Sequence, residues 1–268
     1  MKKILFPTDF SAASKNAYEY ACLFAKEIGA TIDVLNIYHL PAFEVANIPP
    51  EYISRLNQEQ QEEVEEQLSS LVADTDPSLI GKTEGVYGIF IPNEIAVYAK
   101  EGDYDLIIIG TKGEHSDVEK YLGSVTTQTM LQATCPVLAV PEFAKYSPVR
   151  KIAYATDFSR NEQHFVAKLK KLATILNAHA CFVHVETNEY LKDEPIIQKV
   201  ESVEDFDDFH VVESSSVMEG IDVFMKEQEV DWLSLYMPRR RLWERLFHSS
   251  FTKQMTFHSH KPLLVFHE

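Results

Sequence analysis

One glycine-rich stretch has the residue types and spacing to hold an anion. Gly110-Thr111-Lys112-Gly113 is followed, after nine residues, by Gly123-Ser124-Val125. Glycines let backbone N–H groups crowd round an anion with no Cβ in the way, and a helix that follows adds the positive end of its dipole. That is the chemistry of a phosphate cradle. The plainer reading of Gly110 and Gly113 is a left-handed turn leaving a strand. Neither Gly-x-Gly-x-x-Gly nor Gly-x4-Gly-Lys-Ser/Thr is present, so phosphate would not be held in either of those ways. The loop also carries Glu114, Asp117 and Glu119 against Lys112 and Lys120. Like charge beside a triphosphate is unfavourable unless the acids face solvent, affinity is weak, or a divalent cation intervenes.

Other candidates are weaker. Arg239-Arg240-Arg241 with Trp243 and Arg245 resembles an anion or RNA patch, but the half that hosts it is net acidic, and pairing with acids of the first half is the preferred reading. His258 and His260 would face different ways on a helix and have no Cys or carboxylate at useful spacing, which suits surface histidines better than metal ligands. No Ser-His-Asp, Cys-His or paired-carboxylate arrangement is readable, and no base for activating water is identifiable.

The elements that must position the loop follow from periodicity. A strand at about 3–6 leads through Thr8-Asp9 into a helix from about Ser11 to Ile28, with Gly29 as its stop. A strand over 32–38 precedes a long polar helix over about 51–73, whose thin apolar stripe is Ile53, Leu56, Val64, Leu68 and Leu71. A third strand near 82–87, a helix opened by Pro92 at its first position, a fourth strand at 105–109, a helix over 124–132 and a fifth strand at 137–140 complete the unit. Alternating strands and helices with near-continuous apolar strands predict an open parallel sheet covered on both faces. In the order 3-2-1-4-5, ligands bind beyond the carboxyl ends of strands 1 and 4, which places Asp9 and Gly110 at one end.

The unit occurs twice. Lys3-Ile4-Leu5-Phe6-Pro7-Thr8-Asp9-Phe10-Ser11 returns as Lys151-Ile152-Ala153-Tyr154-Ala155-Thr156-Asp157-Phe158-Ser159, and residues 105–140 lie without gaps over 231–266. The offset falls from 148 to 126, so the first copy carries 22 extra residues. Domains at 1–147 and 148–268 follow.

Composition narrows the function. The net charge is −16, of which residues 1–147 carry −12 (10 Lys/Arg, 22 Asp/Glu), which argues against nucleic acid or an anionic membrane as partner. No apolar run is long enough to span a membrane. Pro7-Thr8-Asp9 cuts the first apolar run short, and Cys22, Cys135 and Cys181 are odd in number and far apart, so a cytoplasmic protein with reduced thiols is expected.

The opening Ile4-Leu5-Phe6-Pro7-Thr8-Asp9-Phe10-Ser11, the Gly110-x2-Gly113-x9-Gly123-Ser124 spacing and the closing Cys135-Pro136-Val137-Leu138-Ala139-Val140 together resemble the universal stress protein family in its tandem, two-domain form. The resemblance implies two flavodoxin-like (Rossmann-like) α/β domains, each a five-stranded parallel sheet. It also implies an internal pseudo-dimer or a homodimer paired through the last strand, a stress-response regulatory role with protein partners still to be named, and an ATP or AMP site, with or without Mg2+. The residues it marks are Thr8, Asp9 (ribose), Ile37 (adenine), Ile109, Gly110, Thr111, Gly113, Gly123, Ser124 and Val125.

The second copy is an internal control. There Gly110 becomes Tyr236, Gly113 becomes Arg239 and Gly123 becomes Ser249, while Ser124 persists as Ser250. Bulk stands where backbone had to approach phosphate, so that copy has lost the site. It keeps Thr156-Asp157-Phe158-Ser159, so the matching motif in the first copy serves either ribose or a helix cap. A ligand-free scaffold and, less favoured, a slow ATPase are the competing functions.

Overall fold

Strands that are apolar on both faces must be covered on both faces, and here they are. The computed structural model describes residues 1–39, 50–111, 124–156, 163–187, 207–237 and 261–267. These divide into two compact units, those up to Tyr146 and those from Ser147.

The first unit runs β1 (Lys3–Pro7), α1 (Ala12–Ile28), β2 (Thr31–Tyr38), α2 (Pro50–Val72), a 3-10 turn (Pro77–Leu79), β3 (Ile80–Tyr87), α3 (Ile91–Glu101), β4 (Leu106–Thr111), α4 (Ser124–Gln132) and β5 (Val137–Pro141). The strands are parallel in the order β3-β2-β1-β4-β5. Ile4, Leu5, Phe6 and Leu106 through Ile108 are fully buried. Helix α1 lies on β4, β2, β5 and β1, whereas α2 lies on β3 and β2. Of the α2 stripe, Val64 and Leu68 are buried; Ile53, Leu56 and Leu71 are half-buried.

The ends of α1 follow the sequence signals. Ser11 caps its start, its side chain accepting from the Ser14 N–H, and Gly29 ends it in the left-handed region at φ 65. Pro92 occupies the second position of α3, not the first, because the cap is Phe90. Either place suits proline, whose missing N–H would lack an intrahelical partner anyway.

The second unit runs β6 (Lys151–Ala155), α5 (Gln163–Leu176), β7 (His179–Glu186), β8 (Phe209–Glu213), α6 (Val217–Glu227), β9 (Trp232–Tyr236) and β10 (Leu263–Phe266). Its order, β8-β7-β6-β9-β10, again parallel, repeats that of the first. Small polar details recur at the two sequence offsets. Asp105 Oδ2 accepts from the N–H groups of Lys2 and Lys3, and Asp231 Oδ2 from those of Arg150 and Lys151. The Gly88 N–H bonds the Tyr38 carbonyl, and Ser214 bonds Glu186. The shorter offset therefore already holds at residue 88, and the extra residues fall between β2 and β3. Among the described residues, no helix is long and apolar enough to cross a membrane.

Candidate functional site at the carboxyl ends of the first sheet

Thr8 fixes the loop between β1 and α1. It is buried. Its N–H bonds the Leu35 carbonyl, and its hydroxyl oxygen accepts from Ser14 Oγ at 2.9 Å and from the Phe10 N–H at 3.0 Å. Its carbonyl accepts from Asn36 Nδ2 at 2.8 Å. In the second unit His184 Nδ1 lies 2.8 Å from the Thr156 carbonyl, so a side chain of the second strand braces the same loop start in both copies.

Asp9 is exposed, and Oδ1 accepts from the Ser11 N–H at 3.0 Å. The capping role belongs to Ser11. The Asp9 carboxylate instead closes a short turn ahead of the helix. Between them Phe10 sits at φ 60, in the left-handed region that a bulky residue adopts at a cost of about 1–3 kcal/mol. Sequence reasoning could not find this strain, because nothing in the residue type signals it.

Gly110 differs from the turn reading. It lies inside β4, paired with Val140, and its φ is not positive. A Cβ there would stand 2.9 Å from the Ala13 carbonyl oxygen and 3.1 Å from Ser14 Cα. The glycine therefore lets the first turn of α1 close onto the strand end. Ile109 and Thr111 on either side are buried. The Gly110 carbonyl accepts from Thr126 Oγ1 at 3.1 Å, which ties α4 to β4. Ser124 opens α4 and is exposed, and Val125 behind it is half-buried. Gly113 and Gly123 lie outside the described residues, as do the acidic loop residues, Arg239 through Arg241, Trp243, Arg245, His258 and His260.

Ile37, buried near the end of β2, borders Gly88 and Glu94. Beside them Tyr87, Ile89 and Phe90 are exposed, the last two by 67% and 72%. Tyr38 and Tyr87 meet edge to face at 6.0 Å. The sequence signal for this corner is an apolar Tyr-Gly-Ile-Phe-Ile run ahead of a proline, which marks a loop that keeps apolar groups in water.

At the matching place in the second unit, Tyr236 stacks on Phe165, and Met237 is buried where the first unit has Thr111. The residues of the first unit fit the base and ribose ends of a nucleotide: an apolar side chain in Ile37 and an exposed carboxylate in Asp9.

Among the described residues no cluster of three or more His, Cys, Asp or Glu is placed to hold a metal ion. The three cysteines are unpaired thiols, and burial pushes those of Cys135 and Cys181 up to about 12 and about 11.

A family model described as the universal stress protein family matches residues 1–141. A universal stress protein of Methanocaldococcus jannaschii is 33% identical over 143 residues, covering 52% of this chain and 81% of that protein. YxiE of Bacillus subtilis, a universal stress protein, is 28% identical over 145 residues, 52% of this chain and 97% of its own. Among solved structures, a universal stress protein of Archaeoglobus fulgidus superposes with a TM-score of 0.68 at 20% identity, covering 99% of this chain and 96% of that one. At that identity the likeness speaks for the fold.

Proposed function

Because the chain belongs to the universal stress protein family, we propose that its first unit binds an adenine nucleotide, ATP or AMP, at the carboxyl ends of β1, β2 and β4. The second unit is its non-binding structural partner, and the whole is a regulatory protein of the stress response. The observation that carries this reading is the exposed Asp9 carboxylate just past the end of β1, in the unit that matches the family model. Asp9 supports it, since Ser11 caps the helix and leaves that exposed carboxylate free of the task. In this reading Asp9 accepts from a ribose hydroxyl and Ile37 lies against the base. The start of α4, with Ser124 and Val125, faces the phosphates together with Gly113 and Gly123.

Equilibrium titration with ATP and AMP, with and without magnesium, tests the proposal. Binding at or below millimolar concentration, lost in Gly113→Arg, supports it; no binding of either nucleotide overturns it. Binding that survives Gly113→Arg leaves a nucleotide protein with a different site. The exposed Ile89 and Phe90 favour a second reading, a scaffold acting through protein contacts. It gains if the titrations are blank.

A further inference from the structure

Ile37, Gly88 and Glu94 converge where β2 and β3 end. A Cβ on Gly88 would lie 2.6 Å from Glu94 Cγ and 2.8 Å from Ile37 Cγ2, so the acid side chain and the isoleucine border the same space that the missing methyl leaves. Glu94 is half-buried, and among the described residues its carboxylate has no hydrogen-bond or ion-pair partner.

The second unit keeps the backbone of this corner and changes its chemistry. Helix α6 spans the residues that match α3 at the offset of 126, with Ser214 in place of Gly88 and Gly220 in place of Glu94. A Cβ on Gly220 would stand 2.5 Å from Val185 Cγ1 and 3.1 Å from Ser214 Cβ. Room for one side chain is thus kept in both copies, but only the first fills it with a carboxylate. That acid is absent from the copy that also has Tyr236 for Gly110.

We propose, building on the nucleotide reading above, that Glu94 is a specificity-determining residue that reads the base. An ionised carboxylate only accepts hydrogen bonds. Beside an apolar wall that carries a purine ring, it favours a base presenting an amino group, adenine through N6 or guanine through N2, over hypoxanthine, whose one donor on that edge is N1–H. The oxo group of hypoxanthine would set lone pair against lone pair if turned to the acid.

The test compares ATP, GTP and ITP binding to the full chain and to Glu94→Gln, whose amide both donates and accepts. The expected result is ATP or GTP binding roughly tenfold more tightly than ITP, with the preferred base identifying which amino group is read. In Glu94→Gln the ratio should fall to about twofold or less while the urea midpoint holds. Equal binding of all three to the unaltered chain overturns this inference and leaves the nucleotide reading standing. So does a ratio that Glu94→Gln leaves unchanged. If no nucleotide binds the unaltered chain, both readings fall together. If Glu94→Gln does not fold, Glu94→Asp, which keeps the acid but draws it back by one methylene, replaces it, and a ratio it leaves unchanged likewise overturns the inference.

Discussion

Tyr236 stacks on Phe165 with ring centroids 4.1 Å apart and 23° between the planes. The strand position of Tyr236 is the one Gly110 holds in the first unit, where helix backbone comes within 2.9 Å of a would-be Cβ. One sheet end is thus closed in two ways, by helix backbone in one copy and by an aromatic pair in the other.

Gly110→Ala should destabilise the first unit by about 2 kcal/mol, because the new methyl meets backbone of Ala13 and Ser14 and not a movable side-chain tip. Urea unfolding of the full chain measures this. A change within about 0.5 kcal/mol would mean that α1 shifts freely and that the glycine has no packing role.

Ser11→Ala and Asp9→Ala should separate two roles that share one loop. Loss of the Ser11 cap is expected to cost about 1 kcal/mol of stability with nucleotide affinity kept. Asp9→Ala should cost less stability and weaken ATP binding about tenfold or more. Paired thermal melts and binding titrations check the split, and the same pattern in both variants would contradict it.

Tyr104 donates to Asp33 Oδ2 at 2.6 Å in the interior of the first unit, and Lys3 Nζ lies 3.4 Å from the same oxygen and 4.1 Å from the centre of the Tyr104 ring. Tyr104→Phe leaves a buried carboxylate oxygen short of a donor and should cost about 1–3 kcal/mol. Tyr52→Ala on the exposed side of α2 should stay within about 0.5 kcal/mol by the same assay.

Asp208 gives the second unit an acid-sensitive joint. Its carboxylate lies 2.5 Å from His179 Nε2 and 2.9 Å from His210 Nε2. The hydrogen bond from His179, then that from His210, holds its pKa below the usual aspartate value. A depressed folded value means that the stabilisation is present above the unfolded pKa of about 3.9 and is lost as pH falls through the folded value. Melting temperature against pH between 5 and 2 should fall less steeply in His179→Ala than in the unaltered chain. Parallel curves would remove the histidine from the account.

Much of the fold was legible because the sequence states it twice. Two offsets bound ten strands, and Ser11 and Gly29 marked the ends of α1 where residue type decides the local geometry. The site was legible only as a set of positions. Gly110 reads identically whether a glycine serves a turn, a ligand or a neighbouring helix, and only the approach of Ala13 distinguishes them. The left-handed Phe10, the pairing of Asp33 with Tyr104 across 71 residues, and the meeting of Glu94 with Ile37 are products of tertiary structure. No periodicity encodes them. On α2 the apolar stripe was right in direction, but it could not say that Val64 and Leu68 sink deepest against the sheet.

The exchange of Gly88 and Glu94 for Ser214 and Gly220 restricts how the two halves of this gene can be recombined. A crossover between β3 and α3 would place a serine against a glutamate in one chimera and a glycine opposite a glycine in the other, crowding the first and hollowing the second. Breakpoints before residue 88 or after residue 94 keep each pair intact. The two positions must therefore travel as one inherited block.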